Sequence, residues 1–219
     1  MSKKRVAVIL SGCGVYDGAE IYESVLTLLR LDQQGAEVSC FAPNIPQMHV
    51  INHLTADESI SEPRNVLVEA ARIVRGEIAD LALANHQAFD AVIVPGGFGA
   101  AKNLSNFALA GSGMMVNPTF KQFIQSMHSA GKPVGLICIA PAMAGKLFAE
   151  GVKCTVGNDP QTATAVEQTG ARHEICAVDE ICIDPANKLV TTPAYMLAES
   201  ISQAAIGINK LVDTVLEMA

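Results

Sequence analysis

The 219 residues include no tryptophan, no C-x-x-C pair among six cysteines, and no apolar run long enough to cross a membrane. Without C-x-x-C the usual mark of a redox dithiol is missing. Basic residues are also scarce: 15 Lys and Arg stand against 22 acids, a formal charge of −7, and only Lys3-Lys4-Arg5 forms a cluster. That balance argues against nucleic acid or an anionic membrane as a partner. Long polar tracts and fixed-period repeats are likewise absent, which removes disorder, solenoids and fibres.

What is present is a hydrophobic half of the chain in 23.0 kDa, enough for one sizeable core and read as a single domain over 1–219. Cys13, Cys40, Cys138, Cys154, Cys176 and Cys182 mostly sit in apolar runs where a reduced thiol packs well, so a cytoplasmic location is expected. Lys3-Lys4-Arg5 ahead of Val6 to Leu10 imitates a lipoprotein export signal. Five apolar residues fall short of the roughly seven such a segment needs, and suit a first parallel strand instead.

Strands are predicted over 5–10, 36–41, 90–94 and 133–137, and helices over 19–34, 65–85 (breaking near Gly76), 117–130, 142–149 and 197–218. Strand and helix alternate, giving an α/β fold with a mainly parallel sheet. Stretches 174–183 and 188–192 read as further strands that include an antiparallel or edge pair. Residues 43–62 have little periodicity and are long for a connection, which marks them as functional or partly structured.

In an open parallel sheet, ligands bind beyond the carboxyl ends of the strands. Three predicted strands end in unusual loops there: Ser11-Gly12-Cys13-Gly14, Pro95-Gly96-Gly97-Phe98-Gly99, and Cys138 followed by Pro141. A strand that stops at a cysteine just before a helix start places the sulfur among free backbone N–H groups and favours its thiolate. The local pattern equally allows Cys138 to be a small core residue.

Other motifs carry less. Gly12-x-Gly14-x-x-x-Gly18 imitates a dinucleotide fingerprint, but its spacing is off by one and Phe41-Ala42-Pro43 stands where an acid would bind ribose. His49 and His53 are four apart in a segment unsuited to a helix, with no acidic or thiol ligand adjacent, so no metal is expected. Asp17 and Glu20 have capping-box spacing. The helical wheel buries Ile21, Val25 and Leu28 and leaves Glu23 on the polar side. Only its place above the end of the first strand keeps Glu23 eligible as an acid or base. Tyr16 and Tyr195 adjoin loops at strand ends, and His173 stays a candidate neighbour of Cys138.

The stretches Val92-Ile-Val-Pro-Gly-Gly-Phe-Gly99 and Gly135-Leu-Ile-Cys-Ile-Ala-Pro141 resemble the class I glutamine amidotransferase-like superfamily in its PfpI/ThiJ branch. Residues 11–24, Ser-Gly-Cys-Gly-Val-Tyr-Asp-Gly-Ala-Glu-Ile-Tyr-Glu-Ser, narrow the likeness to the ElbB-type group (enhancing lycopene biosynthesis, sigma cross-reacting). The resemblance covers essentially the whole chain. It implies a flavodoxin-like three-layer sandwich, a homodimer, Cys138 as nucleophile, and Glu23 beside it, counted back from Gly35. It further implies that the Gly97 and Ile139 amides form an oxyanion site. Two features depart from better-known branches: Ile139 stands where peptidases carry histidine, and no histidine follows His173 to form an amidotransferase His-x-Glu. A Cys-Glu pair remains. It suits a cofactor-independent glyoxalase, a lyase acting on a small aldehyde without metal, extending to deglycase action. The rival readings are a non-enzymatic stress protein with Cys138 as oxidation sensor, or an accessory factor in isoprenoid biosynthesis.

Overall fold

The computed structural model describes residues 3–59, 61 and 63–219. Among the described residues are nine strands and eight α-helices: β1 (Arg5–Ile9), α1 (Ile21–Gln33), β2 (Glu37–Ala42), α2 (Val66–Ala70), β3 (Ile78–Asp80), β4 (Ala91–Val94), α3 (Phe98–Lys102), α4 (Phe107–Ala110), α5 (Pro118–Ser129), β5 (Val134–Ile137), α6 (Ala144–Leu147), β6 (Lys153–Cys154), α7 (Pro160–Glu167), β7 (Arg172–His173), β8 (Cys182–Asp184), β9 (Leu189–Thr192) and α8 (Ile201–Met218). Seven strands form one sheet in the order β3-β2-β1-β4-β5-β9-β8, with β6 and β7 a separate parallel ribbon. Every pairing in the large sheet is parallel except β8 with β9. The central β2-β1-β4-β5-β9 run has the flavodoxin-like 2-1-3-4-5 winding.

Apart from Arg5 at the start of β1, strands β1, β4, β5 and β9 are buried at every residue, because helices cover both faces of the sheet. On one face Phe120, Ile124 and Met127 of α5 pack with Val92, Val94 and Leu136. On the other, Ile208, Leu211, Val212 and Val215 of α8 and Leu31 of α1 pack with Val6, Val8 and Ile93. The result is the expected three-layer α/β sandwich. Register aligns Val8 with Ile93 and Val94 with Leu136, so the loops after β1, β4 and β5 emerge together at the carboxyl edge.

Three predicted elements differ. The helix expected over 65–85 is only the five-residue α2. The chain then turns through Arg75 and Gly76, both with positive φ, and enters β3. The helix expected after Cys138 is a 3₁₀ turn over Ala140–Met143 followed by the four-residue α6. Of the stretch 174–183, only Cys182–Asp184 is strand, and it is the antiparallel edge. Segment 43–62 is tied down where described: Gln47 N–H donates to Arg64 O (2.8 Å), Met48 N–H to Asn103 Oδ1 (3.0 Å) and Ile51 N–H to Asp17 Oδ2 (2.7 Å).

Candidate active site

Helix α1 is built inside out. Its buried residues are Glu23, Ser24, Thr27 and Leu31, while Ile21, Tyr22, Val25 and Leu29 are 43–49 % exposed. The wheel expectation for Glu23 is therefore reversed, since its side chain has no solvent exposure at all. The cap also differs from expectation. Glu20, not Asp17, is the N-cap, and its Oε2 accepts Glu23 N–H at 2.7 Å. Glu23 then stands at N3, from which a carboxyl ordinarily reaches back to the N-cap N–H. That N–H is already given to Gly96 O (3.0 Å), so the Glu23 carboxyl turns inward. There Oε2 accepts Gly96 N–H at 2.9 Å and Oε1 accepts Tyr195 N–H at 3.1 Å.

The third neighbour of Glu23 is Cys138: the two side chains meet over Gly96, and each influences the other's ionisation. Cys138 is 7 % exposed, follows β5 directly, and holds φ at +64°. A non-glycine residue in that region costs on the order of 1–2 kcal/mol and marks a sharp turn that lifts a side chain out of a sheet. Its N–H donates to Thr192 O (2.9 Å), which anchors the turn to β9. The backbone N–H groups of Gly97 and Ile139 lie beside the sulfur and favour its anion. Sequence-predicted Cys138, Glu23, Gly97 and Ile139 are thus brought together.

Glycine is required at the loop beneath them. A Cβ on Gly96 would lie 2.4 Å from the Cys138 Cβ and 2.8 Å from Glu23 Oε2, and one on Gly97 (φ +87°) would lie 2.4 Å from Glu20 N. The glycine loops after β1 and β4 also bind each other: Phe98 N–H donates to Val15 O and Gly99 N–H to Gly18 O, both at 2.8 Å.

Electrostatics correct one expectation, that of a resting thiolate. Burial pushes the Cys138 thiol well up, and the Glu23 charge beside it pushes in the same direction. The helix that was to lower it is a 3₁₀ turn and supplies little dipole. Burial likewise raises Glu23, to about 7, with Glu20 adding to the shift. Both groups therefore keep their protons below about pH 7, and above it Glu23 gives up its proton while the thiol holds on to its own.

Cys138 opens onto a cavity of about 290 Å³ whose apolar wall includes Val15, Phe98, Phe107 and Ile139, with Glu20, Thr162 and Tyr195 at its polar edges. Phe107 and Thr162 come from short helices with no recognisable sequence signal. The histidines lie elsewhere among the described residues. His173 Nε2 accepts Val156 N–H (3.2 Å), and His53 Nε2 accepts Tyr16 N–H (3.2 Å) with its ring against Tyr16. Larger hollows of about 630 and 660 Å³ lie against α5 and hold neither thiol nor carboxyl.

This arrangement on this fold is joined by a match of residues 4–199 to the DJ-1/PfpI family model. The chain belongs to the DJ-1/PfpI family. Among its relatives, human glutamine amidotransferase-like class 1 domain-containing protein 3, mitochondrial, is 48 % identical over 223 residues, covering 98 % of this chain and 83 % of that protein. The rat ES1 protein homolog, mitochondrial, is 47 % identical over 225 residues, covering 99 % and 84 %. A crystal structure of an isoprenoid biosynthesis protein with amidotransferase-like domain from Ehrlichia chaffeensis superposes with a TM-score of 0.91 at 35 % identity, covering 98 % and 99 % of the two chains. These relatives overturn the cytoplasmic expectation, since both mammalian proteins are mitochondrial by name. The reduced-thiol argument excluded only oxidising compartments and does not choose among the others.

Proposed function

We propose that this DJ-1/PfpI protein is a cofactor-independent glyoxalase that converts glyoxal to glycolate through Cys138 and Glu23. Deglycase action on early glycation adducts is the extension of the same chemistry. The observation that carries the reading is a fully buried carboxyl packed beside the cavity thiol over Gly96, with no histidine lining that cavity among the described residues. As the sulfur adds to the aldehyde carbon, its proton passes to Glu23, whose midpoint near 7 suits a group that must both take and return a proton at neutral pH. The alkoxide that forms lies by the Gly97 and Ile139 amides. Glu23 returns that proton to the alkoxide, giving the hemithioacetal, and as a free carboxylate then takes the proton from the carbon bearing sulfur and delivers it to the neighbouring carbon while the hydroxyl proton shifts to the second oxygen, leaving a glycolyl thioester on Cys138. Hydrolysis releases glycolate and regenerates the thiol.

Burial pushes the Cys138 thiol up, which disfavours the standing thiolate that an oxidation sensor needs, and the catalytic reading therefore requires Glu23 to take the proton as the sulfur attacks. The test is steady-state glyoxal consumption by wild type and Cys138→Ala. Wild type should turn over many times per thiol and the variant should lose at least about a hundredfold. Equal rates would rule the mechanism out.

A further inference from the structure

Hydrolysis of the thioester needs a base for water, and the mechanism so far names none. Glu23 is poorly placed for that step. Its reach is to the sulfur and the carbon bonded to it, whereas the hydrolytic water must stand in the cavity, whose lining does not include Glu23. Glu20 does line it, along with Cys138, Gly97 and Tyr195, and is 8 % exposed. Its hydrogen bond to Glu23 N–H is a helix cap. A cap needs one acceptor oxygen and is ordinarily supplied by Ser, Thr, Asp or Asn. A longer carboxyl half-sunk in an apolar cavity is an unfavourable choice for capping alone.

Resting on the glyoxalase reading, we propose that Glu20 is the general base that activates the water hydrolysing the Cys138 thioester. The Glu20 carboxylate takes a proton from water as the oxygen bonds to the thioester carbonyl carbon, and the tetrahedral oxyanion forms beside the Gly97 and Ile139 amides. Collapse breaks the carbon–sulfur bond, the sulfur leaves with the electron pair and receives the proton held by Glu20, and glycolic acid departs. Labour is then divided between two carboxyls one helical turn apart. Glu23 works at the sulfur and Glu20 at the water. Burial raises the Glu20 carboxyl too, while backbone N–H groups at the helix start hold its charge, so the two acids differ in environment as paired acid–base groups do.

The experiment is rapid-quench intact-mass spectrometry with glyoxal on wild type, Glu20→Gln and Glu20→Ser. Gln keeps an acceptor oxygen for Glu23 N–H and Ser is itself a good cap, so either variant preserves the helix start, as circular dichroism and melting will verify. The expected result is a thioester adduct on Cys138 that forms in the first turnover and persists, with glycolate release slowed about a hundredfold. Hydroxylamine, a nucleophile that needs no base, added after free glyoxal is removed, should discharge the adduct as glycolohydroxamic acid, a product that the hemithioacetal of equal mass cannot give. Wild-type glycolate release in the variants, or failure to form the adduct, overturns the assignment. Wild type that forms neither adduct nor glycolate sinks the glyoxalase reading itself, an outcome visible without any variant.

Discussion

Glu23 shows how far a single residue can depart from what its neighbours in sequence imply. A glutamate on a helical wheel with Thr27 and Arg30 reads as solvated, yet it is sealed inside with its oxygens on Gly96 and Tyr195 N–H. The seal has a thermodynamic signature. Its carboxyl titrates near 7 in the fold against 4.5 in the unfolded chain, so the folded state holds the proton more tightly. The associated stability is full below about pH 4.5 and is lost as pH rises through 7, a swing of about 3 kcal/mol for a group with no solvent screening. Urea unfolding of wild type and Glu23→Gln across pH 4 to 8 measures it. The wild-type advantage should shrink by that amount, and a difference constant with pH would mean that the carboxyl titrates normally. Cys138 was legible because an apolar strand stopping at a thiol is a local pattern. Its missing thiolate was not, because the desolvation that suppresses it comes from the whole sandwich.

Among the elements, the strands buried on both faces announced themselves as unbroken aliphatic runs, and β1, β4 and β5 fall within a residue or so of their predicted bounds. The short α3, α4 and α7 went unread, since four to eight residues carry too little periodicity to distinguish from loop. Helix α1 was read in place but rotated, because a site that needs a buried carboxyl breaks the apolar-inward rule on which periodicity depends. The glycine loop after β4 is where element and site meet. Gly97→Ala would set a methyl 2.4 Å from Glu20 N at φ +87°, which should cost about 2 kcal/mol or more. Melting temperature and the rate of Cys138 alkylation should both change. An unaltered alkylation rate in a destabilised variant would show that the loop supports the fold without positioning the sulfur.

At the scale of the whole molecule, the mainly parallel sheet and the convergence of three loops at its carboxyl edge follow from strand–helix alternation, while the flavodoxin-like winding is what the family resemblance implies. The outer surface did not. Ile21, Tyr22, Val25 and Leu29 line one side of α1, and Tyr22 meets the Tyr195 ring at 5.9 Å at the margin of the cavity. We propose that this stripe seats a second copy, in keeping with the homodimer that the family likeness implies. Light scattering should give twice 23.0 kDa for wild type and the monomer mass for Val25→Glu. A wild-type monomer at micromolar concentration would refute this use of the stripe.

An inverted helix leaves little room for silent change. Swapping Ile21, Tyr22, Val25 and Leu29 for charged residues, the most tolerated kind of substitution on an ordinary surface helix, would strip the grease from the one apolar stripe this helix shows to water. Filling its interior with aliphatics, usually a gain in robustness, would delete the acid that the sulfur leans on. Thirteen residues therefore answer to two masters at once, and random improvement toward a conventional amphipathic pattern would erase the chemistry while making the protein look better folded.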